Sequence, residues 1–451
     1  MEMNFFSKKY QINSLWIGFI LLAFVNSFFM RDGSGFSGSI IPLTFGSIIW
    51  LIDQYRQSAW KSVNLNHKGI NLFLLWIIGA ILSSVLNMDV IIYAENSITT
   101  GLIQFFYKTI ALVLYLIIAI FSYDIMCTLT DDVLVEKANK MLFYSFIIAG
   151  IYSAIEIIAL IEESFKPILY ILDALFRGGY EESTYFKVRS VSYEPSTLGN
   201  YLAIVAPFIY VKILDFNRKY LLAGIVLLII AFMTYSRTVY VVIFFEFILL
   251  SLMKKTSKYI IFLTIVTMII ASVVKVVAGD LWFADIDIYT TVSSLLDSDE
   301  SGRMNSNYMR YGSQVGAYNL WLENLLFGIG LGQAKFHLLN YLPEWAWLSS
   351  DMLMFQYNMP VFGVYPRMLA EQGLLGLVIY VFLWLDSLYK LVKKKHEVRS
   401  KDKEDFIIAL FIAIIGNLLS ANNWDMLSYP ANWLLLALAW RIIYNKQMLM
   451  K

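Results

Sequence analysis

The sequence predicts an all-α, polytopic integral membrane protein of about 12 transmembrane helices. Three observations predict it. Only 15% of the 451 residues are charged against 59% hydrophobic, and the mean hydropathy is +0.63. A soluble globular protein is nearer a quarter charged, so lipid solvates much of this surface. The apolar residues gather into runs, most of them near the roughly 20 residues that a helix needs to cross the hydrocarbon. Basic residues concentrate in alternate connections, the asymmetry that orients a multi-span protein.

The runs centre on 15–30, 40–52, 70–86, 103–121, 141–160, 198–214, 220–235, 239–253, 259–277, 374–391, 406–421 and 431–444. Spans this apolar read as helices, because an open strand edge has no water to satisfy it in a bilayer. The first run follows Lys8 and Lys9 as a signal peptide would, but no small-residue cleavage site follows, so it reads as an anchor. A cytoplasmic N-terminus puts Lys8/Lys9, Lys137/Lys140, Lys254/Lys255/Lys258 and the Lys393–Lys403 cluster on one side. It leaves about 23 Lys and Arg inside and about 11 outside, with both termini cytoplasmic. The chain then divides into spans one to nine over 1–278, with an outward loop at 161–196; a large outward loop with short helices at 279–373; and spans ten to twelve over 374–451. Connections as long as the second loop are usually functional. A single cysteine, Cys127, excludes an internal disulfide framework.

Three polar patches face outward on this topology. The first, Arg189-Ser-Val-Ser-Tyr-Glu-Pro-Ser-Thr-Leu-Gly199, leads into the sixth span, with Pro195 suited to the first helical turn and Glu194 beside it. Backbone N–H groups at such a helix start favour an anion; the plain alternative is a capped helix with Arg189 paired to Glu194. The second is the Tyr235-Ser-Arg-Thr238 turn, where Arg237 lies recessed because the flanking passes are short. A charged group held below the headgroups marks a functional site by default, unless it snorkels or pairs. The third carries Arg303 and Arg310, a helical stretch at 311–326, the run Gly328-Ile-Gly-Leu-Gly332, and Arg367 one turn before Glu371, its natural ion-pair partner. Those glycines follow no dinucleotide-binding strand and precede no Walker lysine, so they read as sites of close backbone approach. Arginine grips phosphates with a planar, permanently charged fork. A lipid diphosphate at the outer headgroup level would meet all three patches.

In order and sidedness these features resemble the O-antigen polymerase and ligase superfamily of membrane glycosyltransferases, over roughly Arg189 to Gly376. The shared elements are the late outward loop, Ser236-Arg237-Thr238, Arg310 with Gly328, Gly330 and Gly332, and Glu371-Gln-Gly-Leu-Leu-Gly376. The Arg189, Glu194-Pro-Ser, Gly199 element is similar to one in the polymerases. The resemblance implies a GT-C-like membrane fold in the inner (plasma) membrane. It also implies transfer of a growing glycan from undecaprenyl diphosphate onto a lipid-linked repeat unit at the outer face, with no cofactor, no metal and no nucleic acid. Partners would be the undecaprenyl-diphosphate-linked oligosaccharide, the bilayer and a chain-length regulator. Ligases, which transfer to a lipid A core, usually carry a His-Asn pair where this chain has Phe362 and Gly363, so the pattern favours a polymerase.

On this reading Arg237, Arg310 and Arg189 clamp the diphosphate, with Arg303 and Arg367 as further phosphate or glycan contacts. Glu194 is the first candidate base, Glu371 the second and His337 the third. Tyr193, Trp345 and Trp347 line the sugar path or form a headgroup belt. Lys108 points to the same cavity or snorkels. Asp285-Ile-Asp287 imitates a metal motif but reads as solvated loop. The rival from another class is a 12-span transporter or flippase, against which stands the lack of an internal repeat.

Overall fold

The computed structural model describes the whole chain except residues 1, 27, 32–33, 57–66, 178–186, 214–217, 267–301, 349–358, 426 and 445–451, and gives backbone alone for 2–6, 28–31, 34–36 and 302–307. The described residues form a helical protein with one small β-hairpin. The helices are α1 (Glu2–Ile20), α2 (Ile40–Arg56), α3 (Lys68–Leu86), α4 (Met88–Tyr93), α5 (Gly101–Cys127), α6 (Asp131–Ile161), α7 (Lys166–Phe176), α8 (Pro195–Tyr210), α9 (Arg218–Met233), α10 (Arg237–Met253), α11 (258–266), α12 (Gly302–Glu323), α13 (Ala334–His337), α14 (Val364–Glu397), α15 (Lys401–Ser420) and α16 (Pro430–Tyr444).

Four of these, α3, α5, α6 and α14, are long and apolar enough to cross a membrane. Their outward faces are apolar too: Ile78, Leu82 and Val85 on α3, Phe106 and Ile110 on α5, Ile147 and Ile151 on α6, Val378, Phe382 and Leu385 on α14. A helix of a water-soluble protein would turn charge to that side. At the centre, α8 and α16 are buried along almost their whole length, and α15 packs between them and α10. Gly199 of α8 lies so close to α10 that an added Cβ would collide with Val239.

Two elements depart from the apolar-run reading. The run over 15–30 is helical only to Ala23, because Asn26 takes a left-handed conformation (φ 53°) and Phe28–Arg31 then pairs antiparallel with Ser34–Phe36. Asparagine enters that region more readily than other non-glycine residues, and a helix cannot continue through it. Helix α14 begins at Val364, ten residues before the apolar run at 374–391, and breaks at Gly373 (φ 65°, ψ −166°). The nine-residue lead that precedes the break carries Arg367 and Glu371 ahead of the apolar stretch.

Charge divides the molecule by end. At one end lysines meet carboxylates: Lys68 and Lys390 with Asp386, Lys212 with Asp402, Lys254 with Asp405, Lys403 with Asp132, and Arg441 with Asp131. This lysine end gathers the starts of α3, α6 and α15 and the finishes of α5, α8, α10, α14 and α16. The far end gathers the opposite termini of the same helices, and the described candidate site residues lie there.

Candidate functional site

The far end is built around the short turn between α15 and α16. Its residues reach three other elements. The Asn422 carbonyl accepts from Gln314 Nε2 of α12 (3.0 Å), Asn423 Nδ2 donates to Thr238 Oγ1 at the start of α10 (2.9 Å), and Asp425 pairs with Arg367 of α14. Gly363 is required beneath this turn: its φ is 121°, and an added Cβ would strike the Asn422 carbonyl.

On one flank, Arg310 of α12 lies 3.7 Å from the Glu194 carboxylate and stacks over the Phe362 ring, 5.0 Å from its centroid. Glu194 is the residue before α8. Its N–H donates to Thr197 Oγ1 (3.1 Å), and its carboxylate accepts from Ser196 (3.0 Å). The serine, proline and threonine thus shape a helix start that leaves the glutamate half-exposed, its carboxylate 46% accessible and the Arg310 side chain 29%. Arg237 opens α10, after Tyr235 in a left-handed conformation (φ 52°), next to the Thr238 that holds Asn423. The positive ends of α8 and α10 and the Arg310 guanidinium therefore share one surface.

Arg189 is held by its backbone. Glu156 of α6 accepts the N–H groups of Arg189 (3.0 Å) and Ser190 (2.7 Å), fixing a turn in which Ser190 has φ 53°. Arg177, which follows α7, lies 3.6 Å from the same glutamate and also binds Asp173, which accepts from Tyr152. Burial opposes charge on this guanidinium, yet Glu156, Tyr152 and Asp173 together raise its pKa above the usual arginine value. The backbone of Tyr193 donates to the Val25 carbonyl (3.1 Å), tying the segment to the chain after α1.

On the other flank Arg367 is buried between Glu371 (Nε to Oε2, 3.2 Å) and Asp425. Lys108, two turns into α5, faces this pair of carboxylates together with Arg367 and Lys335. Three cations thus stand around two acids. Burial lowers the Lys335 pKa, against the pull of Glu371, and lowers that of His337, whose Nε2 is buried with no hydrogen-bond partner among the described residues.

The glycine run crosses the break in α14. Gly328, Gly330 and Gly332 all have positive φ (64°, 101° and 78°). Ile329 and Gly330 donate to the carbonyls of Ala370 and Glu371 (2.9 Å each), while Leu374 and Leu375 donate to Leu325 and Leu326 (2.9 and 3.2 Å). The run replaces the helical bonds lost at Gly373, so its glycines serve close backbone approach. Gly332 also lies against Lys108 Cγ, 3.0 Å from where its Cβ would be.

The structure therefore joins Glu194 to Arg310, packs the first turn of α10, which Arg237 opens, against α8 at Gly199 and Val239, and pairs Arg367 with both Glu371 and Asp425. Trp345 and Trp347 are partly exposed on the 3-10 helix Glu344–Leu348, and Tyr308 packs on Trp345 at 5.9 Å. Asp285, Asp287 and the side chain of Arg303 lie outside the described residues. Sequence reading missed Glu156, Arg177, Asp173 and Asp425. An acid inside an apolar run was a signal for Glu156, whereas Asp425 gains its role only from a partner 58 residues away. Neither a family model nor a curated protein matches the chain.

Proposed function

We propose that this protein is a multi-pass membrane polymerase of about 12 spans, its termini cytoplasmic, that transfers a growing glycan from undecaprenyl diphosphate to a lipid-linked repeat unit at the outer face of the plasma membrane. The observation that carries the reading is the Arg310–Glu194 pair, half-exposed at the start of α8, against which the first turn of α10 packs. It sits at the end opposite the lysines, which is the outer end if the lysine-rich connections are cytoplasmic.

Among the described residues Arg310 pairs with one carboxylate, at 3.7 Å, and an incoming diphosphate can take its place. Arg310, Arg237 and the N-terminal end of α10 then stabilise charge that grows on the diphosphate as the sugar C–O bond breaks and the leaving oxygen keeps the electron pair. Glu194, released from Arg310, takes the proton of the acceptor hydroxyl as the new C–O bond forms. Arg367 and Glu371 are buried and paired, so here they support the shape of the site. The absence of side-chain room at Gly363 fits a polymerase better than a ligase.

Purified protein in proteoliposomes with lipid-linked repeat units as sole substrate should make a ladder of products. Arg310→Ala and Arg237→Ala should each cut its yield at least about 100-fold at normal protein levels, as loss of a charge-stabilising donor does elsewhere. Glu194→Gln should lower turnover more than substrate binding. Substrate flux without new glycosidic bonds would establish a transporter instead; product only when a separate acceptor is added would establish a ligase.

A further inference from the structure

Glu246 lies in the middle of α10, and the nine residues from Arg237 place it roughly 14 Å below the far end. It is 1% exposed, and neither carboxyl oxygen has a hydrogen-bond partner among the described residues. No described lysine or arginine pairs with it. Across the seam stands Gly416 of α15, where any Cβ would overlap the carboxyl oxygen Oε1, so the glycine leaves room for the acid and little more. Tyr210 of α8 is the titratable group that faces it, and its hydroxyl is likewise buried without a partner among the described residues. Two buried oxygen-bearing groups thus share an apolar seam with no counter-charge among the described residues. The next charges along these helices are Arg237 and Asp405. Asp405 is held by Lys212 and Lys254, and the eleven residues from it to Gly416 span roughly 16 Å.

An ionised carboxylate without partner or water costs far more than a neutral acid in such a place. An apolar side chain of the same volume would cost nothing, which makes an acid inside a membrane a functional group by default. We propose that Glu246, with Tyr210, forms a proton-binding site inside the helix bundle, taking up and releasing a proton through the seam between α8, α10 and α15. The close approach of Gly416 leaves no space for a metal cation and its ligands, whereas a proton needs none. The proposal is independent of the glycosyltransferase reading, because it uses no residue of that site.

Infrared difference spectra of the full-length protein in lipid, wild type minus Glu246→Gln, test it. A protonated-carboxyl C=O band should be present in wild type and lost in the variant, and it should shift when the sample is moved to D2O. Glu246→Asp should move the band without removing it, which keeps the test usable if the glutamine variant fails to fold. Three results would overturn the proposal: no such band at any pH, a band that disappears on adding NaCl at constant pH, or a band that never shifts in D2O. The first means an ionised carboxylate, the second a metal cation, and the third a sealed structural acid.

Discussion

Glu156 shows how much of this site depends on residues that do no chemistry themselves. Its carboxylate accepts two backbone N–H groups from the Arg189 turn and lies beside Arg177, so one side chain fixes the arginine-bearing loop to α6. Removing Glu156 strips two buried N–H groups of their acceptor and leaves Arg177 with Asp173 as its one described carboxylate partner. Glu156→Ala should therefore cost about 3 to 5 kcal/mol, read as a fall in thermal unfolding midpoint in detergent. Glu156→Gln keeps an acceptor oxygen for the turn and should cost less. At the opposite end, His67 precedes α3, accepts from the Ile70 N–H through Nδ1 and is enclosed by Tyr123, Trp440 and Tyr444. Burial, then repulsion from Lys390, lowers its pKa to about 4 from the ordinary 6.5. The neutral ring is the folded form, so its contribution is full above 6.5 and is lost as pH falls through 4, by roughly 3 kcal/mol in all. Unfolding midpoints measured between pH 7 and 4 should show this acid loss, and His67→Asn should flatten it.

Helices were legible where hydropathy alone decides them. Eleven of the apolar runs lie in helix over their described residues, apart from the last one to three residues of the runs at 198–214, 220–235 and 406–421, whereas the first strays further, at Asn26. The short α4 and α7 were not legible, since neither is long enough to register as a run, and α7 earns its place through Asp173 and Arg177 rather than through length. Nor was the start of α14, because a run of apolar residues cannot reveal a helix that begins, breaks at a glycine and begins again. The role of the glycine run was legible as close approach, but its partner was not. That crossing gives a sharp test. At Gly328 a Cβ would stand 2.6 Å from the Ala370 carbonyl oxygen in a left-handed conformation, and the facing atoms are backbone that cannot swing away. The conformation alone costs roughly 1 to 2 kcal/mol in an L-residue. Gly328→Ala should therefore destabilise by more than about 2 kcal/mol and abolish product formation with it. Gly150, inside α6 with no atom within 4 Å of its Cβ position, is the contrast: Gly150→Ala should leave the unfolding midpoint unchanged or raise it.

At the scale of the whole molecule the two ends are chemically unlike, and that difference is what sets the direction of the site. Mostly lysines paired with aspartates staple one end, whereas arginines paired with glutamates and aspartates, and glycine-borne backbone crossings, occupy the other. Sequence reading inferred the orientation from the distribution of lysines and arginines, and the structure adds a probe of it. The single cysteine, Cys127, closes α5 at the lysine end, where Arg441 donates to the neighbouring Met126 carbonyl (3.0 Å). Ser97 lies exposed at the far end, in the connection before α5. If lysine-rich connections stay in the cytoplasm, a membrane-impermeant maleimide added to intact cells should miss Cys127 and label Ser97→Cys in a Cys127→Ser background. In inverted vesicles the pattern should reverse. Labelling of Cys127 from outside would turn the Arg310–Glu194 pair toward the cytosol, away from the face where a lipid-linked glycan is to be extended.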